Sequence, residues 1–144
     1  MGLDCWSPNV GIARDMRWGR NMETPGEDPL VNGLYGAAYA LGMQQPDGTG
    51  VVQAIATLKH FAANSLEGNW SSPRCPDGLC TRHSIDANIS AYDLASTYYP
   101  PFRTSVEMGG ALGAMCSYNA INGVPSCANG PLLDGRLRGK WGFQ

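Results

Sequence analysis

The chain has 144 residues, enough for one ordinary domain, and 43% of them are hydrophobic, enough for a core. Only 15% are charged, the formal net charge is −2, and there is no basic run or interleaving of basic and aromatic residues, which argues against a nucleic-acid partner. No apolar stretch reaches the roughly 20 residues of a membrane span, and no basic region leads into an apolar core at the N-terminus, so neither a span nor a signal peptide is visible.

Val10 to Ala13 is a short apolar run that predicts a strand. It leads into a segment, 14–28, with no helical or strand period, where Arg14, Arg17 and Arg20 stand among Asp15, Glu23, Glu27 and Asp28. Guanidinium forks make directional hydrogen bonds to hydroxyls and carboxylates, which suits a loop that holds a polar ligand. Arg14 and Arg17 are also placed to brace the loop by pairing with Asp15, Glu23 or Glu27, which is the simpler role for these two. Asp28-Pro29 then opens a helix, Asp as N-cap and Pro at the first position, that runs to about Gln44. Gly33, Gly36 and Ala40 thin one side of it for close approach to a sheet.

After the turn at Pro46-Asp47-Gly48, Val51 to Leu58 (VVQAIATL) reads as a strand covered on both faces, ending at Lys59-His60. The segment 62–84 is longer than structureless chain usually is, which points to a functional loop. Within it Cys75 and Cys80 flank a turn signal, compatible with a short disulfide loop or with two free thiols. Ser90 and Asp93 form a capping-box pattern for the next helix; Pro100-Pro101 interrupts that helix and Gly109-Gly110 closes it. Ala111 to Ser117 is a third buried strand, and Asn129 caps a last helix that reaches about Lys140.

This alternation predicts an α/β chain with a parallel sheet. The five cysteines (Cys5, Cys75, Cys80, Cys116 and Cys127) form no C-x-x-C pair, and His60 and His83 lack metal spacing, so no metal site is expected. Asn69-Trp70-Ser71 and Asn88-Ile89-Ser90 match the N-glycosylation pattern.

Three motifs occur in a telling order: Ser7-Pro8-Asn9 leading to Arg17-Trp18-Gly19-Arg20-Asn21-Met22-Glu23-Thr24-Pro25-Gly26-Glu27-Asp28-Pro29, then Lys59-His60-Phe61, then Met115-Cys116-Ser117-Tyr118-Asn119. Through them the chain, from Trp6 to Phe143, resembles the N-terminal barrel domain of glycoside hydrolase family 3, on its β-xylosidase/β-glucosidase branch. The fold this implies is a partial TIM (β/α)₈ barrel, about three βα units of one domain over 1–144. A closed barrel takes roughly 250 residues and eight strands, so the chain looks like a fragment. On such a barrel the site gathers at the C-terminal ends of the strands. The resemblance implies that Arg20, Lys59, His60, Arg82, Met115 and Tyr118 bind substrate, with Phe61 in the core.

The reaction implied is retaining hydrolysis that releases terminal non-reducing β-D-xylose from a β-linked oligosaccharide or glycoside, without a cofactor. Ser65-Leu66-Glu67-Gly68-Asn69-Trp70 resembles a xylosidase loop and tilts the reading toward xylose, with β-glucosidase as the alternative. The Ala62-Ala63-Asn64-Ser65 stretch disfavours the N-acetylglucosaminidase branch. No acid of this chain matches either catalytic carboxyl. The nucleophilic aspartate is expected just after Gln144 and the acid/base in a later domain, so the partners include the remainder of the barrel and a C-terminal domain. Alone, the chain is expected to be inactive. A non-catalytic sugar-binding remnant is the alternative from another class. The family also implies secretion.

Overall fold

The computed structural model describes residues 3–52, 54–68, 70–73 and 75–144, so Asn69 of the first glycosylation pattern lies outside the described residues. Three strands form one parallel sheet: β1 (Leu3–Cys5) pairs with β2 (Ala54–Phe61), which pairs with a later strand, Gly113–Cys116. The first strand therefore lies earlier than the apolar run at 10–13 suggests. Pairing with β2 continues only as far as Asn9, where the Lys59 amide donates to Pro8 O and the Val10 amide to Lys59 O, each at 3.1 Å. Val10 and Ile12 are buried, but past the Val10 amide the backbone turns away from β2, and the Ala13 amide donates to Gly26 O at 2.9 Å. The Asn32 side-chain amide donates to the carbonyls of Val10, Gly11 and Gly26, taking up groups that a strand partner would otherwise use.

Helix α1 (Pro29–Met43) begins as its sequence dictates: Asp28 Oδ1 accepts from the amides of Leu30 at 2.7 Å and Val31 at 3.1 Å. Its small-residue side meets a helix rather than the sheet. A Cβ at Gly33 would come within 2.8 Å of Thr104, and one at Gly36 would overlap Ser105 and Val10.

The segment 62–84 is not structureless. It holds a hairpin in which β3 (Trp70–Ser71) runs antiparallel to β4 (Leu79–Cys80), closed by a Cys75–Cys80 disulfide. A second small sheet follows, with β5 (Asp86–Ala87) parallel to β7 (Ala120–Ile121), and β7 antiparallel to β8 (Val124–Pro125). Between β5 and β7 in sequence come α2 (Ala91–Asp93), capped by Ser90 as expected, then α3 (Pro100–Glu107) and β6 (Gly113–Cys116). Pro100-Pro101 does not break the helical path. A wide five-residue turn, Leu94–Tyr98, feeds α3, and the prolines sit in its first turn, where no amide is needed. A last wide-turned helix, Pro131–Arg138, is capped by Asn129, whose Oδ1 accepts from the Leu132 amide at 3.1 Å.

The chain is thus mixed α/β, its helices packed against a parallel sheet. Phe61, fully buried at the end of β2, centres the core, with ring centroids of Phe102 at 5.0 Å and Trp141 at 5.6 Å. A second disulfide, Cys116–Cys127, ties the end of β6 to the segment after β8. Nothing in the spacing of these two cysteines announces it. The turn that returns the chain does, by bringing Ser117 Oγ to 2.7 Å from Ser126 Oγ.

Candidate functional site

β2 delivers Lys59 and His60 at its C-terminal end, and the arginine-rich loop folds over them. A single 3₁₀ turn, Asn21–Glu23, brings Glu23 round to face Arg20. Arg20 Nε donates to Glu23 Oε1 at 2.7 Å, and Nη2 donates to Oε2 at 2.8 Å, a two-point guanidinium–carboxylate pair. Lys59 Nζ lies 3.4 Å from the same Oε2. Arg20 Nη1 is 3.1 Å from His60 Nε2. One carboxylate therefore holds two cations, and one of those cations reaches the histidine. Glu23 reads from the sequence as one of several loop-bracing acids; its role as the shared counter-charge of Arg20 and Lys59 is visible only in three dimensions.

Electrostatics follow from this packing. An arginine only donates, so His60 Nε2 accepts, which makes the imidazole neutral with its proton on Nδ1. Burial, reinforced by the charges of Arg20 and Lys59, pushes the His60 pKa down from 6.5 to about 4. The hydrogen bonds from Arg20, with its charge and that of Lys59, hold the Glu23 carboxyl down at about 2. Both groups thus bind fewer protons folded than unfolded. His60 contributes stability that is complete above pH 6.5 and lost as the pH falls toward 4, and the Glu23 contribution is present above 4.5 and lost toward 2. Unfolding temperatures of the protein should therefore drop steadily from pH 7 to 4, and His60→Gln should flatten that limb. An acid limb of the same slope in the variant would remove His60 as its source.

Tyr118, just past β6, joins this group to the hairpin region. Its ring centroid lies 6.0 Å from that of His60 and 4.7 Å from that of His83, with Arg82 Cζ 6.0 Å above it. Arg82 Nε is 2.5 Å from Glu67 Oε1. Around that pair opens a cavity of about 410 Å³ that includes Arg17, Thr81 and His83. Five of the six predicted residues (Arg20, Lys59, His60, Arg82 and Tyr118) are thus linked by successive contacts. Met115 is not among these contacts: it lines a different cavity, of about 370 Å³, with Asp4, Trp6 and Thr57. Arg17 takes the bracing role, with Nη2 2.6 Å from Asp15 Oδ2. No local pattern marks the Glu67–Arg82 pair and His83 as neighbours, because they meet only when the hairpin folds.

The acids near this group are already engaged: Asp15 by Arg17, Glu23 by Arg20, Glu67 by Arg82 and Asp28 by the start of α1. Among the described residues, no group of three or more His, Cys, Asp or Glu side chains is placed to hold a metal ion, and no helix is long and apolar enough to cross a membrane.

The family described as the glycosyl hydrolase family 3 N-terminal domain matches residues 1–144. Probable beta-D-xylosidase 7 of Arabidopsis thaliana is 44% identical over 149 residues, covering 99% of this chain and 18% of that protein. A solved GH3 exo-β-xylosidase in complex with a xylobiose aziridine activity-based probe superposes with a TM-score of 0.87 at 36% identity, over 99% of this chain and 18% of that one. β-Glucosidase 3B from Thermotoga neapolitana in complex with α-D-glucose superposes with a TM-score of 0.81 at 30% identity, over 98% of this chain and 17% of that one. The 144 residues therefore span less than a fifth of the relatives they match.

Proposed function

Because the chain belongs to glycosyl hydrolase family 3, we propose that it supplies the sugar-binding wall of a retaining exo-β-glycosidase that releases terminal β-D-xylose. The observation that carries this is the Arg20–Glu23–Lys59–His60 cluster at the end of β2, with Tyr118 beside it. Two cations share one carboxylate, so each keeps donors free for a sugar hydroxyl while its position is held from behind. His60, neutral, serves as a hydrogen-bonding group rather than as a charge. The tilt to xylose is supported by a named xylosidase relative at 44% identity, and the solved β-glucosidase at 30% favours glucose as the second reading.

Retaining hydrolysis needs two carboxyls roughly 5–5.5 Å apart, one as nucleophile and one as acid/base. With the nearby acids of this chain committed to arginines and a helix cap, both roles fall to residues outside the 144. On this reading the remaining strands close a (β/α)₈ barrel on the three-stranded sheet, and a later domain brings the acid/base. The two disulfides suit an oxidising compartment, which supports secretion.

The full-length protein carrying these residues should hydrolyse 4-nitrophenyl β-D-xylopyranoside with higher kcat/KM than the glucopyranoside. Proton NMR of early product should show β-xylose before mutarotation. Turnover of neither glycoside, or first release of the α-anomer, would overturn the reading. Faster turnover of the glucoside would favour the β-glucosidase alternative.

A further inference from the structure

Tyr118 is 41% exposed, yet the residues on either side of it, Ser117 and Asn119, are 1% and 2% exposed. Two buried polar side chains flanking one open ring are costly unless each is bonded, and both are bonded to the same stretch of chain. The Ser117 amide donates to Phe61 O at 2.7 Å, Ser117 Oγ lies 2.8 Å from Ala62 O, and Asn119 Nδ2 donates to Ala62 O at 3.3 Å. Phe61 and Ala62 follow Lys59 and His60 directly. The chain that carries Tyr118 is thus fastened to the chain that presents His60.

A third member of this network comes from further along. The β7–β8 hairpin turns at Asn122 and Gly123, whose φ angles of 50° and 84° give the two-residue turn with a twist that suits a hairpin. Asn122 is bonded through both side-chain atoms to the backbone of Ile89, and the Gly123 amide donates to Asp86 Oδ1 at 2.9 Å, so the turn is anchored from outside. Its register sets Ala120 opposite Pro125, and the Ser126 amide accordingly donates to Asn119 O at 3.2 Å. Ser126, 1% exposed, also places Oγ 2.7 Å from Ser117 Oγ and 2.8 Å from Asn119 O. Two hydroxyl protons serve three oxygens here. Ala62 O has Asn119 Nδ2 as a further donor and Asn119 O has the Ser126 amide, so the network is satisfied whichever way the protons run. The Cys116–Cys127 disulfide joins the neighbours of the two serines covalently.

We propose that Ser126 is a positioning residue for Tyr118: through Ser117 and Asn119 it fixes the tyrosine in its place beside His60, so the β7–β8 hairpin sets one wall of the pocket from behind. The proposal rests on the glycosidase reading, which puts Tyr118 against the sugar, and the test separates the two. In the full-length protein, Ser126→Ala should lower kcat/KM on 4-nitrophenyl β-D-xylopyranoside by about tenfold, the scale of one buried hydrogen bond. The loss should divide between kcat and KM as it does in Tyr118→Ala. Ser126→Thr, which keeps the hydroxyl, should recover most of it.

In the Tyr118→Ala background, Ser126→Ala should cost less than about twofold, because the ring through which it acts is gone. Ser117→Ala breaks the same network at its other end and should repeat the pattern. A serine that only stabilises the fold would lower the unfolding midpoint and cost the same factor in either background. That equal cost would overturn the proposal and leave the glycosidase reading intact, as would full activity of Ser126→Ala. Failure of both serine variants to fold would make the hydroxyls a requirement of the core and overturn it too. Absence of turnover by the unsubstituted protein would overturn the glycosidase reading and the proposal with it.

Discussion

Glu23→Gln should lower kcat/KM on aryl xylosides by about a hundredfold, some 2.7 kcal/mol of transition-state stabilisation, without abolishing folding. The carboxylate makes two charge-assisted hydrogen bonds to Arg20 and stands 3.4 Å from Lys59. A neutral amide preserves the shape of the site but leaves two cations side by side without a counter-charge. They then repel, and the Arg20 bond to His60 Nε2 loses its fixed geometry. Hydrogen bonds involving a charged group contribute about 1.5–3 kcal/mol each, so losing the hold on two such groups accounts for the expected size. On the proposed function, Lys59→Ala and Arg20→Ala each remove a sugar-binding side chain and should cost about as much. The double variant Glu23→Gln with Lys59→Ala should then cost far less than the sum, because the two act through one another. Steady-state kinetics on 4-nitrophenyl β-D-xylopyranoside decide it. Glu23→Gln at full activity would return Glu23 to a simple loop brace, and strict additivity would uncouple it from Lys59.

How much of this arrangement the sequence discloses depends on whether the signal is local. The cap of α1 by Asp28, the Ser90–Asp93 box and the Asn129 cap are contacts between residues two or three apart, so the pattern alone foretells them. The positions of Lys59 and His60 follow from an apolar run of strand length and from the place of sites at parallel strand ends. The first strand misleads because the apolar residues Val10 and Ile12 are buried for another reason, Val10 under Asn32 and beside Gly36 of α1 and Ile12 with its carbonyl bonded by Ser65, while the true strand at 3–5 is only three residues long and too short to carry a period. The Cys116–Cys127 bond, the Glu67–Arg82 pair and the contacts of Tyr118 join residues brought together by turns whose geometry no local pattern encodes. Glu23 lies between these cases. An acid three residues after an arginine is a local cue to pairing, but only the fold brings Lys59, 36 positions away in sequence, to the same oxygen.

Phe61→Ala should be the most destabilising single change in the chain, by about 3–5 kcal/mol. The side chain is completely buried and its ring contacts Phe102 on α3, Tyr99 just before it and Trp141 after the last helix, so one residue joins the sheet to both later helical segments. Alanine would leave a cavity walled by three aromatic rings held on separate elements, and rigid walls collapse little. Phe61→Leu keeps most of the volume and should cost much less, about 1–2 kcal/mol. The position also matters to the site, since Phe61 follows His60 directly and its carbonyl accepts from the Ser117 amide at 2.7 Å, one residue before Tyr118. Loosening the ring therefore loosens both His60 and Tyr118, the two sides of the cluster at the end of β2. Thermal unfolding of the full-length protein should show the drop in midpoint for Phe61→Ala and a small one for Phe61→Leu. At temperatures below both transitions, Phe61→Ala should also raise KM. Equal midpoints for the two variants would mean that the aromatic cluster contributes no more than ordinary apolar contact, and that the core is centred elsewhere.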